Sequence, residues 1–235
     1  MGATTANLTL LHELFGGLPK LVMFDLDGTL VDSVPGIAAA VDKMLIDFEG
    51  QPVGEEKVRS WVGNGQKLLV ERALADAGID VATNLDKGIE GFRKHYAHTS
   101  EQGLSLFPGV LEFLAFLKAN NVRMAVVTNK PIDFVPAILK SQQLEDFFEM
   151  SLGGECLAEK KPKPLPLLHT MEFFRVEAKD ALMVGDSNND LLAAEAALVQ
   201  SLALTYGYNR GEDLSVYPHL WIGGNLSELC RLREG

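Results

Sequence analysis

Cysteine is nearly absent from this 235-residue chain: Cys156 and Cys230 stand far apart and in no metal-like spacing. That excludes a disulfide framework and a cysteine-built zinc site, and makes a reduced, cytoplasmic compartment the simplest expectation. Long apolar runs are missing too, every one being broken well short of the roughly 18 residues that a spanning helix needs, so no membrane partner is expected. In Met1-Gly-Ala-Thr-Thr-Ala6 the sixth residue is not the Ser or Thr that a myristoylation site needs. His12 and Glu13 interrupt the apolar patch from Leu8 to Phe15, so a signal peptide is not expected either. Positive charge is scarce, with 21 Lys and Arg against 32 Asp and Glu, a formal net charge of −11, and no basic run interleaved with aromatics. Nucleic acid is therefore not expected as a partner, whereas a small anion could enter if it met a local cation. His95, His98, His169 and His219 share no ligand spacing and read as surface or satisfied residues.

What the chain does have is 47% hydrophobic residues, enough for a large core, and one stretch around which the rest is organised. Leu21-Val-Met-Phe24 reads as a strand buried on both faces of a parallel sheet, and it stops abruptly at Asp25-Leu-Asp27-Gly-Thr. Gly28 lets the chain bend there, so one acid can face a cleft while the other turns beside it. Ligands of open α/β sheets bind at that carboxyl edge. A lone Asp-X-Asp would be an ordinary acidic turn; the downstream stretches change its meaning.

Helical patterns follow over Val34 to Phe48, Glu55 to Val62, Gln66 to Ala77 and Asn84 to Thr99, with no convincing strand between them. From Pro108 the pattern alternates. Helices are predicted over Val110 to Asn120, Ile132 to Gln142, Pro164 to Phe174 and Leu191 to Ala197. Strands are predicted over Val122 to Thr128, Phe148 to Leu152, Ala181 to Val184 and Ser201 to Leu204. The fold class is α/β: a Rossmann-like parallel sheet core, residues 1–33 and 107–235, with a small all-helical cap domain, residues 34–106, inserted after the first strand. Gly and Pro punctuate both crossings, as suits a lid that closes over a catalytic edge.

Three later stretches bring polar groups to strand ends or to a loop. Val127-Thr128-Asn129-Lys130 ends one strand on a hydroxyl and an amide, Lys160-Lys161-Pro162-Lys163-Pro164 puts cations on a stiff loop, and Gly185-Asp186-Ser-Asn-Asn-Asp190 ends another strand on two acids. Singly, each is a common turn, loop or helix N-cap. Together and in this order they resemble the haloacid dehalogenase-like hydrolase superfamily.

That resemblance implies Asp25 as nucleophile, Asp27 as general acid/base, Thr128 as phosphate-binding hydroxyl and Lys161 as phosphate-orienting cation. It implies Asp186 and Asp190 as acids of a Mg²⁺ site, to which Asp25 and the backbone carbonyl of Asp27 also contribute. The pattern Lys-Pro-X-Pro selects Lys161 over Lys163. Within the superfamily, Trp61-Val-Gly-Asn-Gly65 and Thr205-Tyr-Gly-Tyr-Asn209 resemble the phosphoglycolate phosphatases. The implied activity is Mg²⁺-dependent hydrolysis of a small phosphomonoester, 2-phosphoglycolate foremost, through an aspartyl-phosphate. A phosphosugar mutase, a nucleotidase, a pyrophosphatase and, from another class, a phospho-accepting signalling module are the alternatives. The second acid and the helical insert argue against the last. Monomer and homodimer both remain open.

Charge agrees with this reading. A carboxylate and a phosphate dianion about 4 Å apart repel by roughly 4 kcal/mol per pair of unit charges at an effective dielectric of 20, so cations must offset the approach. Oxygen ligands suit Mg²⁺ rather than zinc. Asn129, Gly63, Asn64 and Gly65 are candidate substrate contacts, the glycines allowing backbone N–H groups to near an anion, although an interhelical turn explains Gly63–Gly65 as well. Lys130 reads as a solvated lysine following a strand. Leu198 stands where these proteins usually end a helix with glycine, and a rearranged or slightly destabilised turn is expected there.

Overall fold

The computed structural model describes residues 8–232; the reading of Met1–Ala6 lies outside them. Six strands form one sheet: β1 (Leu21–Phe24), β4 (Arg123–Val127), β5 (Met150–Leu152), β6 (Ala181–Gly185), β7 (Gln200–Leu204) and β8 (Trp221–Gly223), in the order β5-β4-β1-β6-β7-β8. Every pairing is parallel. Alternation along the strands sorts their side chains into two layers. Val22, Phe24, Val126, Leu182, Val184 and Leu202 face the side covered by α1 (Leu10–Phe15), α6 (Val110–Ala119) and α7 (Val135–Ser141). Leu21, Met23, Ala125, Val127, Ala181 and Met183 face α8 (Leu165–Phe174) and α9 (Asn188–Ala196). Burial on both faces is why the strands read as unbroken apolar runs.

Between Asp32 and Ser105 the chain leaves the sheet and forms four helices: α2 (Val34–Asp47), α3 (Glu55–Arg59), α4 (Gln66–Asp76) and α5 (Val81–Thr99). They close around Val41, Met44, Leu45, Val70, Leu74 and Phe92. Two short strands not anticipated from sequence, β2 (Val31–Asp32) and β3 (Ser105–Leu106), pair antiparallel and bring the block's entry and exit together. Two-residue strands carry too little pattern to read. The strand β8 and the helix α1 were also missed. Helix α9 begins at Asn188 rather than Leu191 because Ser187 and Asp190 form a capping box. Helix α5 begins at Val81 because the Asp80 carboxylate accepts from the Thr83 N–H at 3.1 Å.

The turn at Leu198 is not rearranged. Leu198 itself adopts the left-handed conformation, φ 59°, while Leu198 N–H donates to Glu195 O and Val199 N–H to Ala194 O, completing a Schellman motif. Left-handed backbone costs a residue with a Cβ roughly 1–2 kcal/mol, and the 84%-exposed side chain recovers little of it by packing. Leu198→Gly relieves that strain but adds disorder to the unfolded chain, so a net gain of about 0.5–1 kcal/mol is expected. In a chain of this size that raises the melting temperature by about 1–4 °C, read by differential scanning calorimetry. A fall in stability would mean that Leu198 is held by more than its turn.

Candidate active site

Three adjacent central strands end level with one another, which gathers the polar stretches that follow them. Phe24 is in register with Val126 on one side and Val184 on the other, so Asp25 falls level with Val127 and Gly185, and Thr128 and Asp186 follow at the next position on either side. Asp25 extends the ladder through its N–H to Val184 O at 3.0 Å, and its Oδ1 accepts from the Leu26 N–H at 2.7 Å. Lys161, delivered by the loop before α8, places Nζ 3.1 Å from that same Oδ1 and 2.6 Å from Asp190 Oδ1. Lys163, by contrast, is exposed. Asp186 accepts from Thr29 Oγ1 and from the Tyr208 N–H, both at 2.6 Å, while Asp190 Oδ2 accepts from the Ser187 hydroxyl at 2.7 Å. Gly28 is obligatory in this arrangement: its φ is +90°, and a Cβ there would come within 2.3 Å of Asp186 Oδ2.

Asp25, Asp186 and Asp190 each offer an oxygen within 4.8 Å of the others, and all three are buried. Burial pushes the Asp25 carboxyl up to about 6, Lys161 pulling it down and Asp190 and Asp27 adding to the rise. Asp186 is raised well above the carboxylate range by burial, then by Asp190 and Asp25. For Lys161, burial opposes the charge, but Asp190 and Asp25 raise its pKa overall. Three carboxylates against one ammonium leave two negative charges uncompensated, and the donors are hard oxygens, so the cluster fits a divalent cation such as Mg²⁺.

The second acid of the strand end turns elsewhere. Asp27 accepts from Ser33 Oγ at 2.5 Å and from Lys130 Nζ at 2.9 and 3.1 Å. Lys130 also donates to the Tyr96 hydroxyl at 2.7 Å. A cavity of about 40 Å³ lies between the sheet edge and the helical block, lined by Asp25, Asp27, Thr128 and Lys130 on one side and by Ile37, Leu69 and Phe92 on the other. This split is the decisive feature: one acid among cation ligands, its neighbour held by Lys130 and Ser33, and both lining the same small, half-open space.

A family model for haloacid dehalogenase-like hydrolases matches residues 22–204, which span all of these acids and lysines. The chain belongs to that family. Phosphoglycolate phosphatase 1 of Pseudomonas aeruginosa is 47% identical over 216 residues, covering 90% of this chain and 79% of that protein. A phosphoglycolate phosphatase of Colwellia psychrerythraea is 41% identical over 215 residues, covering 89% and 95%. Among solved structures, the crystal structure of a predicted phosphoglycolate phosphatase from Haemophilus somnus superimposes with a TM-score of 0.85 at 35% identity, covering 90% of this chain and 96% of the other.

Within this haloacid dehalogenase-like hydrolase the remaining expected residues divide. Thr128 is buried beside Asp25, its hydroxyl accepting from the Lys130 N–H at 3.2 Å. Asn129 donates to Gly63 O and Lys161 O at 3.1 and 2.9 Å, tying the helical block to the lysine loop. Its Oδ1 is the one buried side-chain oxygen among the described residues without a partner, and Asn129, Gly63 and Gly65 line the cavity. Asn64 is absent from that lining. Its side chain is engaged by Arg72 and Arg210, and its carbonyl accepts from Lys160 at 2.7 Å.

Lys130 is the correction: it is 5% exposed rather than solvated. Burial opposes its charge, but Asp27 and then Tyr96 raise its pKa overall. No pattern in the sequence separates a lysine folded into a site from one pointing outward after a strand. Tyr96 belongs to none of the motifs in the sequence; its ring stacks on Phe92, with centroids 5.3 Å apart. Tyr208 was missed as well. Its hydroxyl donates to Asp32 at 2.6 Å and accepts from the Ser33 N–H at 2.9 Å, so it clasps the crossing into the helical block.

Proposed function

We propose that this chain is a Mg²⁺-dependent phosphatase that hydrolyses 2-phosphoglycolate, or a phosphomonoester of similar size, through an aspartyl-phosphate on Asp25. The observation that carries this is the different company of the two acids that follow β1: Asp25 is held against Lys161 and the acid cluster, Asp27 is held by Lys130 and Ser33, and both line the cavity. The names of the 41–47% identical relatives support the substrate. Two free cysteines fit a reduced, cytoplasmic setting.

In this reading residues 34–106 act as a cap over residues 1–33 and 107–235. Lys161, Thr128 and the Asn129 side of the loop hold the phosphoryl group with its phosphorus facing Asp25. The fixed Oδ1 of Asp25 sets the carboxylate plane for attack, and the phosphorus–alkoxide bond breaks as the new bond forms. Asp27 gives its proton to the departing alkoxide, then takes one from the water that cleaves the acyl-phosphate and restores Asp25. Mg²⁺, held by Asp25, Asp186, Asp190 and the Asp27 carbonyl, would supply positive charge against the dianion. The buried Lys161 adds to that charge, and the apolar cap wall keeps bulk water out of the proton transfers.

Hydrolysis rates across 2-phosphoglycolate, nucleotides, hexose phosphates and pyrophosphate, with Mg²⁺ and with EDTA, test the proposal. Phosphoglycolate should have the highest kcat/KM, and EDTA should suppress it reversibly. Preference for a nucleotide, or full rates in EDTA, would overturn it.

The acid cluster also makes a stability prediction. Asp25 titrates near 6 in the fold and near 4 when unfolded, so the metal-free fold binds protons that the unfolded chain has released. Stability is then highest below the unfolded value and falls as pH rises through about 6. For Asp25 alone the loss is on the order of 3 kcal/mol. Chelator-treated protein should melt several degrees lower at pH 7.5 than at pH 5.5, with Mg²⁺ or Asp186→Asn removing most of the difference. A flat profile by scanning fluorimetry would mean the three acids do not share one uncompensated site.

A further inference from the structure

One buried cation is left unused by the steps above. A lysine ammonium has three protons to donate, and in Lys130 all three have short contacts: both oxygens of Asp27, at 2.9 and 3.1 Å, and the Tyr96 hydroxyl, at 2.7 Å. The two contacts with Asp27 lie within the sheet domain, since Lys130 comes three residues after β4 and Asp27 three residues after β1. Tyr96 is different. It sits near the end of α5 in the helical block, flat against Phe92 of the same helix and edge-on to Phe134 of the sheet domain, with ring centroids 4.8 Å apart. The hydroxyl is thus carried to Lys130 by the block and wedged at the seam.

We propose that Lys130 is a positioning residue for Asp27, and that Tyr96 makes the positioning conditional on docking of the cap. The inference rests on the reading of Asp27 as general acid/base. A carboxylate gripped through both oxygens by one ammonium, with Ser33 donating to Oδ1 at 2.5 Å, cannot rotate about its terminal torsion without breaking a contact. Proton transfer needs that fixity, because its efficiency falls steeply with distance and angle. When the block withdraws, the Tyr96 oxygen goes with it. One Lys130 proton then loses its acceptor, and the ammonium must turn or hydrate, which loosens its two-point hold on Asp27. The acid is therefore set in place only when the cap has closed the cavity, so proton transfer is assembled in the state that excludes water. With its protons engaged, Lys130 has no donor left for a substrate carboxylate, which makes it a positioning group in this state rather than a binding one.

The test compares Tyr96→Phe, Lys130→Gln, the double variant and Asp27→Asn, all with Mg²⁺, using an alkyl ester (2-phosphoglycolate) and p-nitrophenyl phosphate. Tyr96→Phe keeps both ring contacts and removes only the hydroxyl. It should lower kcat/KM, which reports the step that forms the aspartyl-phosphate, by about 10-fold for the alkyl ester and by less than about 2-fold for the aryl ester, because in that step only the alkoxide needs the proton. Lys130→Gln should show the same split at about 100-fold, and adding Tyr96→Phe to it should cost nothing more, since Tyr96 acts through Lys130. Equal losses of kcat/KM for both esters, or additive losses in the double variant, would show a purely structural role and overturn the inference. If Lys130→Gln does not fold, Tyr96→Phe alone decides. Asp27→Asn separates the two levels. A leaving-group split in Asp27→Asn without one in Tyr96→Phe and Lys130→Gln sinks the coupling alone, whereas no split in Asp27→Asn removes the reading of Asp27 and this inference with it.

Discussion

Asp25→Asn should reduce turnover by about 10⁴-fold to 10⁶-fold, the scale of losing an enzyme's nucleophile, while the protein stays folded. The amide is nearly isosteric with the carboxylate, so its oxygen can keep the Leu26 N–H and Lys161 contacts at 2.7 and 3.1 Å. Its nitrogen cannot attack phosphorus usefully and is a poor ligand for a cation. Stability should not suffer. The replaced carboxyl is one whose ionised form is disfavoured by burial and by Asp190 and Asp27, so metal-free Asp25→Asn at pH 7.5 should melt at least as high as the parent. Steady-state rates, acid-quench trapping of phosphoenzyme and circular dichroism check the three parts. Turnover within 100-fold of the parent would remove Asp25 from the mechanism.

Asp27→Asn should separate substrates by leaving group. Glycolate is a poor leaving group that depends on a delivered proton, whereas p-nitrophenolate departs without one. A general acid contributes about 100-fold to 10,000-fold, roughly 3 to 5 kcal/mol of barrier, and that loss should fall mainly on the alkyl ester. The same substitution removes the group that takes the proton from water. With the aryl ester, attack by Asp25 should therefore outrun hydrolysis and aspartyl-phosphate should accumulate, visible by rapid quench. The structure sharpens this expectation: Asp27 is held by Ser33 and Lys130, away from the acid cluster, so the substitution leaves Asp25, Asp186 and Asp190 in place. Equal losses for both esters with no trapped intermediate would reduce Asp27 to a structural role.

The difference between these two acids shows where sequence reading ends. That Asp25 and Asp27 follow a doubly buried strand is legible, because a run such as Leu21–Phe24 has few other places to go. That they meet different partners depends on Gly28 at φ +90° and on the groups that arrive, Lys161 from a loop 136 residues after Asp25 and Lys130 from 103 residues after Asp27. A residue's spacing within a motif carries its local direction; the partner that arrives from a distant loop does not appear in that spacing. Lys130 and Lys161 illustrate the point. Both are lysines near predicted strand or helix ends, both are buried, and only the second carried a recognisable motif.

What the chain determines by itself is therefore local and periodic: the parallel strands, the helical insert between residues 34 and 106, the order of the four polar stretches, and the excess of acid that calls for a cation. These follow from apolar periodicity and from residue types whose chemistry is the same in any context. Tertiary structure alone decided the rest. It placed Tyr96 of the helical block within 2.7 Å of Lys130, closed the block's two crossings with the β2–β3 pair, and put a non-glycine residue, Leu198, into a left-handed turn. In each case the deciding contact joins segments far apart in the chain, or rests on packing strong enough to override a local preference, and neither leaves a trace in the pattern of neighbouring residues.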